Sequence, residues 1–272
     1  MRGQVKKWVH SCRDCSTRKT QPTAVIPPLR SQGIGAVGDR WALDVARPLP
    51  LTQDGNRYVI DAVDYASRNA VAVATPSHTA EYIAKFVAER LVLVYGPMRE
   101  LVMGGAPELK GAVVKHLVRL LQAKQATPVP YRPKLLGLVE RFHKVWKDMV
   151  SMYVSESQDD WDQWLPCALY AYNGAKQGTM GFTPNKLMMG RRLRAPNELL
   201  RSIEVTAVGK WSAYHKRLVS QMEKAAALAE EALALNQRRR ERYYNQGVGQ
   251  NMRFQAGDWV WLLKPPRGKG VT

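Results

Sequence analysis

Over roughly the first third of the chain the apolar positions fall in short β-branched runs. Beyond it they recur mostly at helical spacing. Residues 41–45 read as a short buried strand. Residues 57–63 and 70–75 read as two antiparallel strands that pair with it, joined by a polar turn at 64–69. Thr79 can cap a helix whose apolar positions Ile83, Phe86, Val87 and Leu91 follow the 3.6-residue period, and Gly96-Pro97 stops it. Residues 100–103 suit a strand, 107–124 an amphipathic helix through Leu109, Val113, Leu117 and Leu120, and 126–129 another strand. The loop 130–137 leads into a helix at about 138–153 bearing Phe142, Val145 and Met149, and 161–173 is a further helix. Early strands followed by helices predict an α/β fold, a mixed sheet flanked by helices.

Outside this region the pattern changes. Residues 22–39 are rich in Pro and Gly and read as a linker. Residues 203–247 read as one long helical segment with an Ala-rich centre and a cluster of Arg238, Arg239, Arg240 and Arg242 near its end. A strand-like run at 254–263 then begins something new. Its length of 272 residues is that of one or two domains at roughly 150 residues each. No apolar run approaches the roughly 18 to 20 residues that cross a bilayer, and residues 1–30 lack a signal-peptide core, so no membrane association is expected. Three cysteines make no disulfide framework. Cys12 and Cys15, spaced C-x-x-C, read instead as half a metal site in a reducing compartment. Cys167 reads as a core residue of its helix.

Charge alters the picture more than composition does. Lys and Arg number 41 against 23 Asp and Glu, a net charge of +18, which calls for a polyanionic partner such as nucleic acid. The excess is uneven. Residues 1–30 carry +6, residues 31–190 only +3, and residues 191–272 carry +9. A nearly neutral centre between basic flanks suits a catalytic core whose arms hold a phosphate backbone, because counterion release rewards Lys and Arg along the strand. A generic solubilising surface is the plainer reading of the same charge.

The candidate chemistry rests on carboxylates. Asp44 interrupts a strand that otherwise reads as core, and a buried carboxylate is costly unless it is paired or metal-bound. A strand-end hydrogen bond is its structural alternative. Glu140 lies on the first turn of its helix, where the helix N-terminus also favours negative charge. Asp61 and Asp64, on the second strand, read as structural or surface residues. Glu140, Lys144 and Lys147, at i, i+4 and i+7, share one helix face and could line nucleic acid or form a solvated ion pair. Tyr131 and Arg132, in the preceding loop, could stack on or clamp unpaired nucleotides. Arg191, Arg192 and Arg194 add a further basic patch, or a solvated charge run.

Together these motifs resemble a family. Trp41-Ala-Leu-Asp44, Asp61-Ala-Val-Asp64, Gly105-Ala-Pro-Glu-Leu109 and Pro130-Tyr-Arg-Pro133 are followed by Gly137-Leu-Val-Glu-Arg-Phe142, Gly181-Phe-Thr-Pro184 and Gly257-Asp-Trp-Val-Trp261. In this order and spacing the chain resembles the integrases of gypsy-type LTR retrotransposons, relatives of retroviral integrases. The resemblance implies a ribonuclease-H-like core in which two aspartates and a glutamate hold divalent metal for polynucleotidyl transfer to DNA. It implies four parts: 1–30, the remnant of an H2C2-type zinc module; 31–195, the integrase catalytic core; 196–250, a helical basic extension; and 251–272, a truncated C-terminal SH3-like strand. It also implies DNA as partner, a homo-oligomer and a nuclear location.

Asp44 matches the family's first aspartate and Glu140 its glutamate. The second aspartate should precede the glutamate with 35 residues between them, and that position holds Gly104. Glycine offers no ligand. Two Mg²⁺ ions about 3.5–4 Å apart need shared oxygen donors, and two carboxylates neutralise only half of their charge. The expectation is an integrase-type DNA-binding protein of impaired catalysis, holding one weak Mg²⁺ or Mn²⁺ on Asp44 and Glu140. An active enzyme with a compensating ligand and a transposon-derived, non-catalytic DNA-binding protein are the alternatives. Zinc is not expected on Cys12 and Cys15 alone, since a structural zinc site takes four protein ligands.

Overall fold

The β-branched runs form a five-stranded sheet of β1 (Arg40–Ala46), β2 (Tyr58–Asp64), β3 (Ala70–Thr75), β4 (Glu100–Met103) and β5 (Lys124–Ala126) in the computed structural model. The structure describes residues 33–46, 48–104, 109, 111–126, 137–194 and 211–246, with 3–5 and 8 near the amino end. The chain divides into two compact units, one of residues 32–236 and one of residues 1–31 with 237–272. In the second unit the described residues 3–5, 8 and 237–245 are helical. The sheet and the candidate site belong to the first.

Strand order is β3-β2-β1-β4-β5. β1 and β2, then β2 and β3, pair antiparallel, as their short connections require. β4 pairs parallel to β1, and β5 parallel to β4. Helices supply these crossovers. α1 (Ala80–Phe86) widens into a π-helical stretch at Val87–Val92 and ends in the short α2 (Leu93–Tyr95), where Gly96 turns the chain at a φ of 88°. α3 (Ala112–Leu120) joins β4 to β5. Then come α4 (Gly137–Val150), α5 (Trp161–Gly174), α6 (Pro184–Met189) and α7 (Trp211–Asn245).

Alternation along the strands divides the core between the two faces of the sheet. Trp41, Leu43, Ile60, Ala62, Leu101 and Met103 face α1 and α3, meeting Ile83, Phe86, Leu91, Val114 and Val118. Ala42, Ala46, Val59, Val63, Ala72 and Val102 face α4 and α5, meeting Phe142, Trp146, Trp161, Leu165 and Tyr172. Each large side chain so buried contributes about 1.5–3 kcal/mol, so both faces anchor the strands that carry the site. The Asn173 side chain ties α5 to the sheet, donating to the Ala70 carbonyl at 2.8 Å and accepting from the Ala70 N–H at 2.9 Å.

Four expectations from the sequence need correction. The helix placed at 107–124 spans only Ala112–Leu120, and its buried positions are Val114 and Val118, while Val113 and Leu120 are exposed. Both sets obey the helical period, and docking against β4 selects between them. The strand placed at 126–129 ends at Ala126 within the described residues and begins at Lys124. Cys167 is exposed rather than core, because α5 buries the stripe Trp161, Leu165, Ala168 and Tyr172, which leaves position 167 on the far side. Asp61 and Asp64 are not surface residues, since both are fully buried.

The long helix expected from 203 is described from Trp211 on, its first eight expected residues lying outside the described ones. Its small residues Ala225 and Ala229, with Leu233, pack on Met180 and Leu187 of the same chain. Gly190, which ends α6 at a φ of 75°, lies against it: a Cβ there would fall 2.5 Å from Met222 Sδ and 3.0 Å from Leu218 Cδ1. Gly190→Ala is therefore expected to lower stability by about 1–2 kcal/mol through its left-handed backbone, with the clash adding to this. Denaturant unfolding measures it, and an unchanged midpoint would refute the close packing of α6 on α7.

Candidate active site on the α4 face of the sheet

The register of β1 and β2 sets Asp44 directly opposite Asp61. Opposed residues of an antiparallel pair point to the same face, with Cβ atoms about 4.5–5.5 Å apart. Asp44 alternates with Ala42 and Ala46, and Asp61 with Val59 and Val63, so both carboxylates face α4. Asp44 is half-buried, whereas Asp61 is 0% exposed.

α4, which packs on this face, carries polar side chains beside its buried stripe. Glu140 stands exposed in the first turn, and His143 follows three residues later. The His143 Nε2 lies 2.7 and 2.9 Å from the two Asp61 carboxylate oxygens, with the ring largely covered. Lys144 is exposed, and Lys147 lies half-buried with its Nζ 5.7 Å from the centre of the Trp146 ring. The shared face of Glu140, Lys144 and Lys147 thus sits on a helix whose other side, through Val139, Phe142, Trp146 and Val150, is anchored in the core.

Electrostatics mark Asp61 as the strained member. Burial pushes its carboxyl up to about 6, and the negative charge of Asp44 adds to the rise, while His143 and the indole of Trp146 pull the other way. Burial works against a charged His143, yet Asp61 and Asp44 together outweigh it and hold the imidazole above its ordinary value. Asp64 has a different task. Its carboxylate accepts from Gly38 N–H at 3.1 Å, Ser67 N–H at 2.7 Å and Ser67 Oγ at 2.6 Å, and so shapes the turn from β2 to β3. Burial raises its pKa in spite of those bonds.

Gly104 follows β4 directly, is buried, and donates its N–H to the Leu43 carbonyl at 3.3 Å. A Cβ at this position would lie 2.7 Å from Asp44 Oδ1 and 3.2 Å from Leu109 Cδ1. Position 104 therefore points at Asp44, where a second acidic residue would converge with the first. With glycine there, and with Asp61 engaged by His143, no three of His, Cys, Asp or Glu among the described residues are grouped to hold a metal ion. The donor set present does not fit a two-metal centre. Asp44 and Glu140, the expected ligands of a single Mg²⁺ or Mn²⁺, are half-buried and exposed respectively.

Of the other residues singled out by the sequence, Arg191, Arg192 and Arg194 are exposed after α6, and the Arg194 carbonyl accepts a hydrogen bond from the Tyr170 hydroxyl. Cys12, Cys15, Tyr131 and Arg132, and the strand expected at 251–272, lie outside the described residues. No helix among the described residues is long and apolar enough to cross a membrane. Asp61 and His143 are the site residues that sequence reasoning missed. The available signal was an Asp inside the apolar run of β2, but its partner is 82 positions away.

No protein-family model matches the chain. Over 95% of its length the chain is 25% identical to the retrovirus-related Pol polyprotein from transposon 412 of Drosophila melanogaster, of which it spans 21%. Over 71% of its length it is 23% identical to gypsy retrotransposon integrase-like protein 1 of Rattus norvegicus, spanning 38% of that protein. Its fold matches a chain of the simian T-cell lymphotropic virus intasome in complex with the PP2A regulatory subunit B56 gamma. The TM-score is 0.54 at 19% identity, covering 77% of this chain and 72% of that one. The chain is thus similar in sequence to retrotransposon Pol polyproteins and gypsy integrase-like proteins, and its mixed sheet with flanking helices is similar in fold to a chain of a retroviral intasome.

Proposed function

We propose that the chain is an integrase-type nucleic-acid-binding core in which strand transfer is impaired. The observation that carries this reading is Gly104: its Cβ direction runs to Asp44 Oδ1 at 2.7 Å, so the missing side chain is missing at the point where carboxylates would converge. Polynucleotidyl transfer at a pair of divalent ions requires donors that bridge them, clamping the attacking and leaving oxygens. Asp44 and Glu140 alone would hold one ion weakly, Mn²⁺ in preference to Mg²⁺ because it tolerates imperfect geometry better.

The second reading, an active enzyme with a compensating carboxylate, draws support from Asp61, which stands opposite Asp44. Its contacts with His143 weigh against that role. A transposon-derived protein kept for DNA binding would share every feature of the first reading and differ only in its cellular use.

In this reading DNA is the partner, the protein works as a homo-oligomer, and its place is the nucleus. Binding is driven by phosphate neutralisation, with Lys144 and Lys147 beside the candidate centre and Arg191, Arg192 and Arg194 on the exposed stretch after α6. Replacing those three exposed arginines by glutamine should leave the fold intact and weaken binding to duplex DNA of any sequence. Each phosphate that is no longer neutralised flattens the log-log salt dependence by about 0.9, so the slope should fall by about 2 to 3. Fluorescence anisotropy across a salt series reads it. Identical slopes for the two proteins would remove these arginines from the DNA surface.

A further inference from the structure

The sheet sets a half-buried carboxylate beside a fully buried one, and among the described residues His143 alone forms an ion pair with the buried one. Asp44 and Asp61 face each other across β1 and β2, on the side covered by α4. Two carboxylates at that spacing oppose each other's ionisation, and a fully buried one is costly without a partner. In a metal-bound centre, cations between the acids relieve this cost. Here the groups facing Asp61 are Asp44 from β1 and, from α4, the imidazole of His143 and the indole of Trp146, with Lys147 one turn further along the helix. Among the described residues only His143 stands against it as a group able to become a cation, and its Nε2 contacts both carboxylate oxygens.

We infer that His143 is the built-in counter-cation of this carboxylate pair, standing in for a divalent ion, so that the core keeps its structure without metal. Gly104 belongs to the same arrangement. An acidic residue at 104 would set a third negative charge against Asp44, more than one imidazolium can balance. Loss of that acid and the presence of His143 together leave a cluster that one internal positive charge can serve. The inference deepens the reading of an impaired centre but rests on the ion pair alone, and its test contains no DNA, so its failure would leave DNA binding untouched.

The test is thermal unfolding of the full chain at pH 6.5, in chelator and in Mn²⁺. The unsubstituted protein should melt at nearly the same temperature in both, since any ion on Asp44 and Glu140 is held only weakly. His143→Gln cannot carry charge and strands Asp61; it should lose about 5 to 10 °C in chelator and recover much of this in Mn²⁺. Asp61→Asn with His143→Gln removes the buried charge along with its partner, so the double variant should regain stability in chelator and respond to Mn²⁺ no more than the unsubstituted protein does. A purely packing role for the ring would leave the double variant no more stable than His143→Gln. Should His143→Gln fail to fold at all, the double variant still decides, by folding without metal or by failing likewise. A Mn²⁺-induced rise in the unsubstituted protein equal to that of His143→Gln, or a double variant no better than the single, overturns the inference.

Discussion

Gly104→Asp is expected to bind Mn²⁺ at least tenfold more tightly than the unsubstituted chain and to gain measurable disintegration of a branched DNA substrate. The geometry sets both expectations. The new Cβ would lie 2.7 Å from Asp44 Oδ1, so Asp44 must rotate slightly, and the two carboxylates then share one volume on the face covered by α4. Without metal, that proximity is costly. Two unit charges 4 Å apart repel by up to about 4 kcal/mol at an effective dielectric near 20, and partial exposure of Asp44 reduces this. The variant should therefore melt below the unsubstituted protein in chelator and gain several degrees in Mn²⁺, the opposite of a variant that merely disrupts packing. Disintegration is the assay of choice because it makes fewer demands on assembly than strand transfer does. Calorimetry showing no gain in Mn²⁺ affinity would mean that position 104 does not point into a metal centre. Disintegration by the unsubstituted chain at the level of Gly104→Asp would sink the impaired-core reading.

Stability should fall as pH rises from about 4 to 6 and on past the ordinary 6.5 of a histidine, and the Asp61–His143 pair should account for much of the fall. Asp61 titrates near 6 in the folded chain, well above its ordinary value of 3.8, so between those values the folded state holds a proton that the unfolded state has released. Raising pH through that window therefore costs stability. His143 works in the same direction: its folded pKa is raised, so its contribution is complete below its ordinary 6.5 and is lost as pH climbs through the raised value. The Asp61 shift corresponds to about 3 kcal/mol at roughly 1.4 kcal/mol per unit, an effect it shares with His143 through their ion pair. Glu81, Asp159 and Asp160 titrate low and act below this window. Urea unfolding at several pH values measures the slope. Asp61→Asn should flatten it, and a variant with an unchanged slope would assign the dependence to other groups.

Much of this molecule was legible along the chain because its strands and helices carry their own signals. The β-branched run 70–75 matches β3 to the residue, as 100–103 matches β4, since short apolar runs between turn residues leave few alternatives. The glycine at 104 could be seen by counting from Glu140, and the structure adds that its Cβ direction meets Asp44. The phase of α3 could not be seen, because Val113 and Val114 serve the helical period equally and only the docked face distinguishes them. Cys167 failed for a related reason: residue type suggested burial, but the neighbouring Trp161, Leu165 and Ala168 claimed the buried side. Asp61 was the largest omission. Strand pairing alone sets it opposite Asp44, and the packing of α4 alone brings His143 to it across 82 residues. Local sequence thus determined the elements, the basic flanks and the glycine at 104, since each depends on neighbours in the chain, while the acid expected there came from the family resemblance. Which charges share the buried centre was decided only by tertiary structure, because the cost of a buried carboxylate depends on what the fold places against it.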